Sequence, residues 1–76
     1  MTYYFTFVLE TEISADKLYD SGCDDSLVYS MAGVNYITFD REANSLEEAL
    51  ESAKQNVETA GGIVVNTLFP YHGENA

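Results

Sequence analysis

A strand pattern, a helix pattern and a second strand pattern follow one another twice in this chain, and that doubled order limits its fold more than any single motif. From Thr2 to Glu10 the residues are largely aromatic and β-branched. Tyr3, Phe5, Phe7 and Leu9 fall on one side of the extended chain and Tyr4, Thr6, Val8 and Glu10 on the other, which reads as a central strand with both faces partly covered. Ser14 then offers an N-cap oxygen, Asp16 an anion in the first turn, and Ile13 and Leu18 the two ends of a hydrophobic staple. A short helix is expected from Ala15 to Ser21, with Gly22 at the left-handed position beyond it. Leu27 to Met31, the turn Ala32-Gly33, and Val34 to Phe39 read as a hairpin.

The second helix carries a capping box, Ser45-Leu46-Glu47-Glu48, in which the serine oxygen and the Glu48 carboxylate each satisfy an orphan amide. Leu46, Ala49, Leu50, Ala53, Val57 and Ala60 recur at helical spacing, so the helix is expected from Leu46 to Ala60 with one apolar stripe on the sheet. Gly61-Gly62 stops it, Ile63 to Phe69 reads as the last strand, and Pro70 cannot continue a ladder. Two right-handed crossovers of this kind interleave into a four-stranded antiparallel sheet with both helices on one face and the first and third strands central. The expected class is therefore α+β, ferredoxin-like βαββαβ. One domain is expected over residues 1–70, with 71–76 a flexible C-terminal tail.

A fold of 76 residues removes only about 60 % of the unfolded chain's surface from water, so a large internal active-site cavity is not expected. Apolar residues at 46 % and aromatics at 13 % are too many for a disordered acidic tail. Against thirteen Asp and Glu stand three basic residues, Lys17, Arg41 and Lys54, for a net charge of −10. Direct binding to nucleic acid or to an anionic membrane face draws on Lys and Arg, so neither is expected and a basic protein partner is favoured. The plainer account is that the charge keeps a small protein soluble. Cys23 is the one cysteine, which excludes an intrachain disulfide and fits a reducing compartment. With no signal-like leader and no apolar run of about 18 residues, a cytoplasmic location is expected.

No constellation for catalysis assembles, and none for a cofactor or metal. Asp20, Asp24 and Asp25 are dense in carboxylate, but they lack the spacing and the closing Glu of a calcium loop, so capping or partner contact is the better account. Cys23 and His72 would be a nucleophile and base only if the thiolate formed easily, which three neighbouring acids oppose; a packed thiol is expected. Arg41 between Asp40 and Glu42 reads as an intrachain ion pair pinning a strand-to-helix corner. Gly61-Gly62 is a helix stop, since no phosphate-binding glycine motif surrounds it.

Two surfaces remain. Glu47, Glu51 and Glu58 follow helical spacing on the outer side of the second helix, with Glu48 nearby and Lys54 in partial compensation. Residues four apart rise about 6 Å, comparable to the spacing of neighbouring phosphates on one strand, so the row can imitate a nucleic-acid backbone or be an ordinary solvated face. On the sheet face away from the helices Tyr4, Thr6, Val8 and Tyr36 should emerge, with Tyr29 beside them. RNA-stacking rings come with flanking Arg and Lys, absent here, so protein contact or self-association is expected.

The stretch from Leu18 to Gly61 resembles small uncharacterised bacterial proteins that share Gly22-Cys23-Asp24-Asp25, Phe39-Asp40-Arg41-Glu42-Ala43 and Ser45-Leu46-Glu47-Glu48-Ala49 in combination. Some of those relatives carry a helix-turn-helix after this domain. The resemblance implies a regulatory or mobile-element setting; because this chain stops shortly after its last strand, DNA binding is not carried over with it. In size, charge and expected fold the chain also looks like phage-encoded inhibitors, including anti-CRISPR proteins.

The expected function is thus a non-enzymatic acidic module of phage or mobile-element type that docks on a basic nucleic-acid-handling protein. Asp24, Asp25, Glu47, Glu51 and Glu58 are its expected electrostatic contacts and Tyr4 and Tyr36 its apolar anchors, with no cofactor. The alternatives are a homodimeric regulatory or antitoxin-like domain and a small-ligand-binding domain.

Overall fold

The computed structural model describes residues 1–23 and 25–68. Six elements succeed one another: β1 (Thr2–Leu9), α1 (Ala15–Asp20), β2 (Ser26–Met31), β3 (Val34–Glu42), α2 (Leu46–Thr59) and β4 (Val64–Leu68). The strands form one antiparallel sheet in the order β2-β3-β1-β4, so the first and third strands are central. The chain is α+β, a four-stranded antiparallel sheet with two helices. The last strand starts at Val64, one residue later than its apolar run suggests, and Phe69, Pro70 and the expected tail lie outside the described residues.

Local chemistry sets the boundaries. Ser14 Oγ accepts the Lys17 amide at 3.2 Å and Ser45 Oγ accepts the Glu48 amide at 3.2 Å, each satisfying a donor that has no partner within its helix. The return half of the capping box is displaced by one residue, because Glu48 Oε1 accepts from the Asn44 amide and not from that of Ser45. Both helices close with the paired bonds of a Schellman motif. Cys23 N–H donates to Leu18 O and Gly22 N–H to Tyr19 O; Gly62 N–H donates to Val57 O and Gly61 N–H to Glu58 O. Gly22 and Gly61 have φ of 95° and 92°, the left-handed backbone such a closure requires. Ala32 and Gly33, with φ of 54° and 79°, make the two-residue turn between β2 and β3.

The period-two pattern sends one side of the sheet inward. Phe5, Phe7 and Leu9 from β1 and Ile37 and Phe39 from β3 join Ile13, Leu18 and Cys23 from the α1 segment and Ala49, Ala53 and Val57 from α2 in a single buried cluster. Phe5, Phe7 and Phe39 pack with ring centroids 5.4–5.7 Å apart. The three small or branched residues of α2 are each fully buried, whereas Leu46, counted into the same stripe by its spacing, stays largely exposed at the first turn. Gly62 is buried where a β-carbon would stand 2.2 Å from Ile13 Cδ1 and 2.7 Å from Val57 Cγ1, so the absence of a side chain lets the α2 exit pack on the α1 entry.

Candidate functional site

Among the described residues Arg41 is the one buried cation. It lies on β3 with Ile37 and Phe39, so strand alternation turns it toward the helices and turns its sequence neighbours Asp40 and Glu42 out to solvent. Each of its N–H donors has an acceptor: Nε donates to Asp25 Oδ2 at 2.8 Å and Nη2 to Asp25 Oδ1 at 2.9 Å, Nη2 also to Gly22 O at 3.2 Å, and Nη1 to Asn56 Oδ1 at 2.8 Å and Ser52 Oγ at 3.2 Å. Its guanidinium carbon stands 5.0 Å from the Phe39 ring centre. One side chain thereby fastens the loop after α1, the end of β3 and the outer turns of α2. The intrachain ion pair expected of Arg41 is present, but its acid is Asp25, sixteen residues earlier, and it binds the loop after α1 to β3.

This arrangement changes the standing of the acidic loop. Both carboxylate oxygens of Asp25 face Arg41, so Asp25 is a fastening residue first and an external contact only by its remaining exposure. Asp24 lies outside the described residues. Cys23 is buried, as expected of a packed thiol, and its carbonyl accepts the Ser26 hydroxyl at 2.6 Å. His72 also lies outside the described residues. Among the described residues no group of three His, Cys, Asp or Glu side chains is placed to hold a metal ion.

Glu47, Glu51 and Glu58 are exposed along α2, with Glu48 and Lys54 beside them. None of these carboxylates makes an ion pair among the described residues, where the acids so engaged are Asp25 and Glu42, the latter 3.5 Å from the terminal ammonium. Tyr4 and Tyr36 belong to another surface. They sit on the sheet face turned away from the buried cluster, so the row on α2 and the two tyrosines occupy opposite sides of the domain and do not form one patch.

The open sheet face is an ordered set of cross-strand rows. Tyr4 pairs with Asp40; Leu27, Thr38, Thr6 and Leu68 form the next row; Tyr29, Tyr36, Val8 and Asn66 the next; Met31 and Val34 the last. Thr6 and Thr38 share a hydroxyl–hydroxyl bond of 3.0 Å, and the Tyr29 and Tyr36 rings stack with centroids 5.1 Å apart. Tyr4, Leu27 and Met31 are 61 %, 66 % and 60 % exposed, and Tyr29 and Leu68 less so, set among Thr6, Thr38, Asp40 and Asn66. Leu27, Met31 and Leu68 are absent from the sequence-derived contact set; their signal is the alternation of β2 and β4 once these strands are aligned on β3 and β1.

Two depressions flank the sheet, one of them on this face. One is lined by Tyr4, Leu27, Thr38 and Asp40. The other, a hollow of about 160 Å³ where β1, β2 and β3 meet the α1 entry, opens on the helix side of the sheet, lined by Leu9, Ile13, Val28, Ser30 and Asn35 together with Glu12. Neither contains a cysteine, histidine or basic side chain. Among the described residues no helix is long and apolar enough to cross a membrane. Compared with known proteins, the chain matches no protein-family model, no curated protein and no solved structure.

Proposed function

We propose that this chain is a non-enzymatic acidic binding module whose ligand is a basic protein, in particular one that handles nucleic acid. The observation that carries the proposal is the distribution of charge. The single arginine is consumed inside the fold by Asp25, both lysines sit on the helices, and the carboxylates of α2 and of Asp40 at the sheet rim face solvent with no ion pair among the described residues. Such an exterior repels phosphate and membrane anions and attracts cations over roughly a Debye length, about 8 Å at physiological ionic strength. A row of carboxylates on α2 then acts chiefly on the rate of encounter. We read the fold as ferredoxin-like; the element order, the sheet order and the single buried cluster shared by both helices support that reading. The phage or mobile-element setting, with an inhibitor of anti-CRISPR type as its narrowest form, rests on the resemblance of the three motifs and on size and charge.

Immobilised protein exposed to an extract of its source cells at low and high salt tests the reading. Basic proteins should be retained at low salt, released at high salt, and retained less by the variant Glu47→Lys, Glu51→Lys, Glu58→Lys. Capture that ignores both salt and charge reversal would contradict it.

A homodimer built on the open sheet face is the second reading, favoured by the exposure of Tyr4, Leu27 and Met31. Light scattering on the protein and on Tyr4→Ser and Tyr36→Ser separates the two. A stable dimer that these substitutions break supports the dimeric domain.

A further inference from the structure

We infer that β2 is the docking edge for a second copy of this chain, the two β2 strands pairing antiparallel about a two-fold axis at Val28 so that the two sheets become one. The seam uses neither the acids of α2 nor the open face, so the inference goes beyond the reading of the chain as a module for a basic protein and does not depend on it.

The backbone supplies the first observation. β2 stands at the end of the strand order, with β3 as its neighbour on one side. The two-residue turn Ala32-Gly33 makes Met31 and Val34 a hydrogen-bonded pair, and the bond from Asp40 N–H to Asp25 O keeps the same phase at the far end of the strand. Leu27, Tyr29 and Met31 therefore turn their N–H and C=O groups toward β3, whereas those of Ser26, Val28 and Ser30 point away from the sheet as a template for another extended chain. Among the described residues no backbone bond reaches Val28 or Ser30 from that side. Val28 is half-buried and Ser30 exposed, so the helices leave this edge uncovered.

The side chains select a copy of the same strand. Ser26-Leu27-Val28-Tyr29-Ser30-Met31 has no charge, no proline and no bulge, the devices that keep exposed edges from pairing. The opposite edge has one of them, because Val65 is the extra residue of a bulge in β4. Each copy carries a net charge of −10, yet no like-charge pair crosses a seam made of these six residues. Centred on Val28, the pairing sets Ser26 against the partner's Ser30 and Val28 against the partner's Val28, which engages all three outward-facing residues of each strand. The same register sets Leu27, 66 % exposed, against the partner's Tyr29, an apolar cross-strand pair with surface to bury.

Sedimentation of the full chain at rising concentration tests the seam. One strand from each copy is at the small end of specific interfaces, so a dissociation constant of about 0.1 mM is expected. The two acidic bodies should associate at least about threefold more tightly in about 500 mM than in about 20 mM sodium chloride, a salt dependence opposite in sign to that of capturing a basic protein. Ser30→Pro removes an outward N–H at an exposed edge position, where the single fold tolerates proline, and should weaken association at least about tenfold while the thermal midpoint of dilute protein stays unchanged. Independently of that variant, Val28→Cys should give a disulfide-linked dimer on air oxidation, since its paired Cα atoms would stand about 5.5 Å apart. Ser30→Cys, about 14 Å from its own counterpart, should not, and the buried Cys23 of the unaltered protein should stay reduced. A monomer at about 0.5 mM in both salts, or cross-linking through Ser30→Cys and not through Val28→Cys, would overturn the seam and leave the basic-partner reading to its own test. A dimer that Tyr4→Ser breaks and Ser30→Pro does not would place the second copy on the open face and overturn the inference as well.

Discussion

Arg41 on β3 and Asp25 ahead of β2 hold each other through two parallel bonds, Nε to Oδ2 at 2.8 Å and Nη2 to Oδ1 at 2.9 Å. The guanidinium is nine-tenths buried and the carboxylate about a quarter exposed, so solvent screens the pair only from the acid's side. A lysine in place of Arg41 keeps the charge but loses the planar fork and leaves some of Asp25, Gly22 O, Asn56 and Ser52 without a donor. Arg41→Lys should lower stability by about 2–3 kcal/mol, read as a fall in the urea midpoint at constant slope. An unchanged midpoint would show that the fork contributes nothing the other bonds do not supply.

Cys23 reports on the same fastening. Its thiol is buried beside Gly22, whose carbonyl accepts from Arg41, and its own amide closes α1 on Leu18. A chromogenic disulfide reagent should label it slowly in the native protein, through opening of this loop. Releasing the loop by Asp25→Asn should speed labelling about tenfold or more, while Gly61→Ala, at the far end of α2, should change it much less. Equal acceleration in both variants would mean that the thiol is reached only by global unfolding.

The glycines at the end of α2 make different demands. At Gly61 a β-carbon meets nothing within 4 Å, so Gly61→Ala adds only the strain of a left-handed backbone at φ 92°, about 1 kcal/mol. At Gly62 it would overlap Ile13 and Val57 side chains and approach the Val57 carbonyl at 3.2 Å. Gly62→Ala should therefore cost more, about 2–3 kcal/mol, because core atoms and a helix exit must both shift. Thermal melts of the two variants side by side rank them, and the reverse order would sink this account.

Elements built from local chemistry were legible in the sequence. Ser14, Ser45, Gly22, Gly61 and the Ala32-Gly33 turn act within a few residues of themselves, so spacing alone located both helices and the hairpin. The partner of Arg41 was not legible by adjacency, since Asp40 and Glu42 flank it in sequence and lie across the sheet from it. Alternation contains the missing signal: Phe5, Phe7, Ile37 and Phe39 fix which side is buried, Arg41 shares that side, and a buried arginine requires an acid delivered by some other segment. Similarly, the row on α2 and the tyrosines of the sheet each read as contact residues, but only the three-dimensional arrangement shows that they face opposite ways.

Screening should stabilise this protein. Its ten excess negative charges repel one another, Glu47 and Glu51 stand four apart on one helix, and the exposed acids have few cations to pair with. Salt would weaken the repulsion among these exposed groups far more than it weakens Arg41–Asp25, which is mostly shielded from solvent. The expected result is a thermal midpoint that climbs with sodium chloride, corresponding to about 1 kcal/mol between low and physiological ionic strength and levelling off once the Debye length falls below the spacing of the carboxylates. Chloride is the appropriate anion, because sulfate would raise stability by exclusion from any protein surface. Glu51→Gln removes one of the repelling charges and should both raise the low-salt midpoint and flatten the salt dependence. If the midpoint instead falls as chloride is added, exposed ion pairs outweigh the repulsion and the unpaired acidic exterior, on which the binding of a cationic protein depends, is not how this surface behaves in solution.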